Sequence, residues 1–130
     1  PYSNVNFERD LTLTPAQLKN AANDSSLHTW GLYDGRGDLI QLTIADYFAS
    51  FVSNADYTQA PEIAIDRILM SGNALENVTE AYPDGRFVDF CYPYFDKSNG
   101  GLDWCSLKLV FSPYQGAWRL VGIVHGQWTI

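Results

Sequence analysis

Basic residues are scarce in this 130-residue chain: eight lysines and arginines stand against fifteen acidic residues, for a formal net charge of −7. So few cations cannot assemble a basic face, which argues against a nucleic-acid partner and disfavours an anionic membrane surface. Long apolar runs are missing as well. No segment reads as a membrane span, so no direct insertion is expected, and no secretion or lipidation signal is visible. The two histidines, His28 and His125, lie far apart without zinc-ligand spacing, and no metal is expected. Nucleophile elbow, phosphate loop and dinucleotide fingerprint are absent, so nothing calls for a cofactor.

What is present is a globular composition, 46% hydrophobic and 15% aromatic. A chain of this length buries about two-thirds of its unfolded surface, enough for a core without metal or disulfide staples. It reads as one α+β domain over residues 1–130.

Thr14 caps a first helix over about 15–23, with Pro15 at its first position and Gln17 closing a capping box. Thr43 and Asp46 open a second, in which Ile44, Tyr47, Phe48, Phe51 and Val52 form one apolar stripe. A short third helix is expected from Asn73 toward Tyr82, stopped by Pro83-Asp84-Gly85. Strands are expected near Trp30, over 62–69, over Arg86–Phe95, and in two closing runs, Gly101–Phe111 and Gly116–Ile130. Helices before pooled strands argue for helices on one face of an antiparallel sheet. The order resembles the cone of nuclear transport factor 2-like and cystatin-like folds, which host enzymes, ligand binders and plain interaction modules alike.

The blocks Thr29-Trp30-Gly31-Leu32-Tyr33-Asp34-Gly35, Asp46-Tyr47-Phe48, Gly72-Asn73, Tyr82-Pro83-Asp84, Asp103-Trp104, Leu120-Val121-Gly122-Ile123-Val124-His125 and Trp128-Thr129-Ile130 are together similar to an uncharacterised domain of bacterial lipoproteins and secreted proteins. The resemblance implies an extracytoplasmic home, secreted or anchored to the cell envelope, with an anchor or repeat module upstream of Pro1. It brings no activity. Cys91, Cys105 and Gly126 depart from its pattern, so a His-Asp site suggested for relatives would be incomplete.

If Asp96–Gly100 is the connection between two strands, Cys91 falls opposite Cys105, and directly paired residues have Cβ atoms about 4.5–5.5 Å apart. A Cys91–Cys105 disulfide is the expectation, worth roughly 3 kcal/mol by the chain-entropy argument; two buried free thiols are the alternative. The same register sets Trp104 opposite Tyr92, and pairing Phe111 with Trp118 around the next turn sets it opposite His125, a row suited to a concave pocket with His125 as its group titrating near neutral pH. Alternation places Asp89 among Phe87, Cys91, Leu107 and Leu109, with Arg67 or Arg119 as partner or with a raised pKa. Arg36-Gly37-Asp38 spells an adhesion tripeptide, yet Asp34-Gly35-Arg36-Gly37 is a natural tight turn.

Three functions stay open. The favoured one is a non-catalytic envelope module whose aromatics, drawn from Tyr33, Tyr92, Tyr94, Trp104, Tyr114 and Trp128, contact a protein or glycan. The others are a small-ligand pocket and, last, an acid–base enzyme built on His125 or Asp89.

Overall fold

A computed structural model describes residues 4–72 and 75–128. Two antiparallel sheets carry the architecture. The smaller pairs β1 (His28–Leu32) with β2 (Leu39–Leu42); the larger has the order β3-β4-β5-β6, from Glu62–Ile65, Arg86–Tyr92, Cys105–Tyr114 and Ala117–Gln127. Helices are short: α1 (Pro15–Lys19), α2 (Ile44–Tyr47) and α3 (Val78–Ala81). The mixed α+β class is thus as expected. The expected start of α3 at Asn73 and the end of the last strand at Thr129 and Ile130 lie outside the described residues.

Local chemistry sets the helix starts. Thr14 Oγ1 accepts from Gln17 N at 3.2 Å while Gln17 Oε1 accepts from Thr14 N at 2.8 Å, the two reciprocal bonds of a capping box. Asn20 ends α1, and the expected helix continues only as a 3₁₀ turn, Ala21–Asn23. At α2, Asp46 N donates to Thr43 Oγ1. The coil then widens into a π turn over Phe48–Val52, closed by Ser53 N donating to Phe48 O. Phe51 is the buried residue of this turn.

Both faces of the larger sheet are covered, whereas the sequence suggested helices on one. Phe87 pairs with Val110 and Phe90 with Leu107, and the odd separation of 87 and 90 sends these pairs to opposite faces. On one, Val78 of α3 packs with Phe87, Val110 and Val124, joined by Val5, Ile68 and Tyr82. On the other, Tyr57 packs with Cys105 and Leu107, joined by Val52, Phe90 and Tyr92. Burial from both sides explains why Cys105–Lys108 is buried at four consecutive positions, as a central strand must be. The N-terminal segment is tied to the α3 side by Asn77, whose amide accepts from Val5 N at 2.7 Å and donates to Val5 O at 2.8 Å.

Register is where expectation and structure part. Twelve residues, 93–104, connect β4 to β5. Cys91 therefore pairs with Ser106, and Tyr92 with Cys105. This one-residue slip places Cys91 and Cys105 on opposite faces of the sheet, and both are free thiols. The expected disulfide is not formed. Burial, reinforced by Asp89 and Glu62, pushes the Cys91 thiol up to about 12, and burial also raises Cys105. Dithiothreitol is accordingly expected to leave the thermal midpoint unchanged, with neither thiol alkylated at neutral pH until the chain unfolds. A midpoint that falls on reduction would contradict the register.

At the β5–β6 turn, Gln115 and Gly116 both have positive φ (48° and 76°), a two-residue hairpin that Gly116 suits. With a bulge between Val110 and Phe111, Phe111 pairs with Leu120 and Leu107 with His125. Further along β6, a Cβ on Gly122 would lie 2.7 Å from Tyr82 Oη and 3.0 Å from Tyr82 Cζ. Tyr82 is braced edge-on by Phe7 at 5.3 Å. Gly122→Ala is expected to cost about 1–3 kcal/mol in urea unfolding, and a Tyr82→Phe background should return part of it. Equal costs in both backgrounds would show that the hydroxyl is not the obstacle.

Candidate groove along the outer edge of β6

An aromatic ladder leads from the small sheet to the last strand. Trp30 donates Nε1–H to Leu42 O at 3.0 Å and stacks on Tyr47 at 3.7 Å; Tyr47 meets Phe51 at 4.9 Å, and Phe51 meets the His125 ring edge-on at 5.6 Å. The apolar stripe expected in the second helix supplies the middle rungs. Beside this ladder, between it and the N-terminal segment, runs an open groove of about 500 Å³. Its walls include Phe7, Leu11, Leu13, Trp30, Tyr47 and Tyr82, and its floor is Leu120–His125 of β6.

His125 is 3% exposed. Its Nε2 is 3.0 Å from Gln127 Oε1, and its buried Nδ1 has no hydrogen-bond partner. Burial lowers its pKa, against the Gln127 hydrogen bond and the nearby Phe51 backbone, so the ring is neutral at pH 7. A neutral imidazole in an apolar wall offers hydrogen bonding and ring surface.

The expected row of Tyr92, Trp104 and His125 is not assembled. Tyr92 pairs with Cys105 and gives its hydroxyl to Asp56 O at 2.7 Å. Trp104 is 3% exposed and its ring packs against Gly72. His125 alone of the three lines the groove. Of the wider aromatic set, Tyr94, Tyr114 and Trp128 are exposed and none of them lines the groove.

Asp89 also sits elsewhere. It shares its face with Phe87, Cys91, Ser106 and Lys108, not with Leu107 and Leu109, because it pairs directly with Lys108. Its partner is Lys108, 3.8 Å away, rather than Arg67 or Arg119, both of which are exposed. Lys108 Nζ also lies 3.3 Å from Glu76 Oε1, and Leu69 N donates to Asp89 Oδ2 at 2.9 Å. Lys108 and Asp89 are both 0% exposed. Burial raises the Asp89 pKa, opposed by Lys108 and by the Leu69 N–H. This ionic cluster was not anticipated, since a lysine between leucines in a strand reads as solvent-facing when one face is assumed open.

Comparison with protein-family models, with curated proteins and with solved structures finds no match. The chemistry must therefore be read from the groove itself. His125 and Asp89, the two acid–base candidates, project from opposite faces of the sheet and do not converge. No cluster of three or more metal-ligating side chains occurs among the described residues. In the β1–β2 hairpin, Arg36 and Asp38 of the adhesion-like tripeptide pair with each other at 3.3 Å, with the guanidinium also over Tyr33.

Proposed function

We propose that the protein is a non-catalytic binding module that holds a partner in the groove along β6. The observation that carries this is the groove itself: an aromatic wall and a strand edge, open to solvent, with one histidine, neutral at pH 7, and one carboxylate, Asp10, in its lining. Catalysis needs groups that converge on a reacting atom, and the two candidates are divided by the sheet. An extracytoplasmic, envelope-anchored or secreted setting follows from the sequence resemblance and belongs to the same proposal, as does the cone-like fold. The bulge in β5–β6 supports curvature of that kind, because a bulge bends and twists the strand that carries it.

A small-ligand pocket is the second reading, favoured by the groove volume of about 500 Å³, which lies in the range of small-molecule sites. One titration addresses both. The isotopically labelled protein is followed by amide and indole NMR while short peptides, oligosaccharides or a fragment library are added. Shifts at Leu120–His125 and at the Trp30 indole are expected with at least one class. Silence of these signals with every class would sink the groove as a site.

A further inference from the structure

Consecutive residues of a strand point alternately to its two faces, so a pocket on one face is lined by every second residue. Here six consecutive residues, Leu120–His125, line the groove. Such lining means that the groove follows the edge of β6 rather than a face. β6 is the terminal strand of its sheet, and among the described residues no backbone hydrogen bond reaches that outer edge. Terminal strands are ordinarily guarded by lysine, proline or a covering segment. Between Leu120 and His125 there is no lysine, arginine or proline, and Leu120, Val121 and Ile123 are exposed.

We infer that the groove receives an extended peptide of about six residues as a fifth strand on β6, with alternating apolar side chains and at least one lysine or arginine directed at Asp10. This deepens the groove reading above and rests on it. Six residues of strand span about 17–20 Å, the length of β6 that lines the groove. Main-chain bonds would supply affinity, and side chains would be sorted alternately to the Trp30–Tyr47 wall and to the wall of Phe7 and Tyr82. The charge follows from the lining, where Asp10 is the one acidic residue and no lysine or arginine occurs, on a molecule with a formal charge of −7. A glycan would stack on exposed ring faces, but Trp30 and Tyr47 are already stacked on each other. A second copy of the whole chain fits less well than one strand, because walls rise on both sides of the edge.

A phage-displayed library of random heptapeptides, panned on the immobilised full chain, tests this. Enriched sequences should alternate apolar residues, carry a basic residue and lack a central proline. Methylating the amides along one edge of such a peptide should weaken it by about tenfold or more, while methylating those of the other edge should not. Leu120→Lys with Ile123→Lys, two exposed positions, should abolish binding with the unfolding midpoint retained, and Asp10→Asn should weaken basic peptides several-fold while sparing norleucine analogues.

Three results would overturn the inference. One is the absence of enrichment. Another is selection of proline-rich or helical peptides indifferent to amide methylation. The last is self-association in sedimentation equilibrium that the double lysine variant breaks, which would make the occupant a second copy. Where the first of these comes with groove signals that oligosaccharides or fragments shift, strand addition fails while the groove reading survives.

Discussion

Lys108→Met is expected to lower the unfolding free energy by about 3–5 kcal/mol at neutral pH, the usual cost of removing one member of a buried ionic cluster. Methionine roughly conserves the volume, so cavity formation contributes little. What is lost is the ammonium that lies 3.3 Å from Glu76, 3.5 Å from Ser106 Oγ and 3.8 Å from Asp89. Two desolvated carboxylates would then share an apolar face with no cation. The pH dependence fixes the cause. The Asp89 pKa is raised in the fold by burial and restrained by Lys108, so it must rise further in the variant. A group whose folded pKa exceeds its unfolded value contributes stability that is full below the unfolded value and is lost as pH rises through the folded one. The deficit of Lys108→Met should therefore be largest at pH 7 and shrink toward about pH 4, near the unfolded carboxylate value. Adding Asp89→Asn should recover part of it at pH 7. Urea unfolding at both pH values decides the matter, and a deficit indifferent to pH would mean that packing, not charge, is responsible.

The same cluster shows where the sequence was legible and where it was not. Caps are local, and Thr14 with Gln17 could be read directly because the bonds span three residues. The antiparallel pairing of the last three strands was also legible from their short connections, but the place of β3 beside β4 and the separate small sheet were not. Register was not. It depends on loop length, and the loop 93–104 is built by side chains: Asp96 caps Ser98, Asp103 Oδ2 accepts from Asp96 N, and Gly100 and Gly101 take positive φ. None of this is visible as periodicity. A single residue of slip then separated Cys91 from Cys105, moved Asp89 from the leucines to Lys108 and parted Tyr92 from Trp104, while the last hairpin, pairing Phe111 with Leu120 rather than Trp118, set His125 opposite Leu107 instead of Trp104. His125 reached the groove despite the wrong register, because it lies in the terminal strand whose edge is open. The apolar run Leu120–Ile123 was visible throughout, but its meaning as an unguarded edge required the strand order.

Trp104→Ala is expected to cost about 3–5 kcal/mol and to leave the groove's binding of peptides unchanged. The side chain looked like a recognition aromatic in the sequence, next to Asp103 at the end of a polar loop. In the structure it is 3% exposed, and Cζ2 lies 3.4 Å from the place a Cβ of Gly72 would take. Its carbonyl accepts from Trp128 N at 3.0 Å and so helps to end β6. The indole is absent from the residues that line the groove and packs instead against Gly72, three residues after Leu69, whose N–H donates to Asp89. Truncation would thus open a cavity where the buried indole meets Gly72, placing the cost near the upper end for a single aromatic. Urea unfolding supplies the first readout, and titration of a groove-binding peptide under strongly native conditions supplies the second. A variant of unchanged stability that no longer binds would put Trp104 in the site and β6 out of it. A variant that loses stability and still binds with wild-type affinity would assign the indole to the core and leave recognition to the open edge.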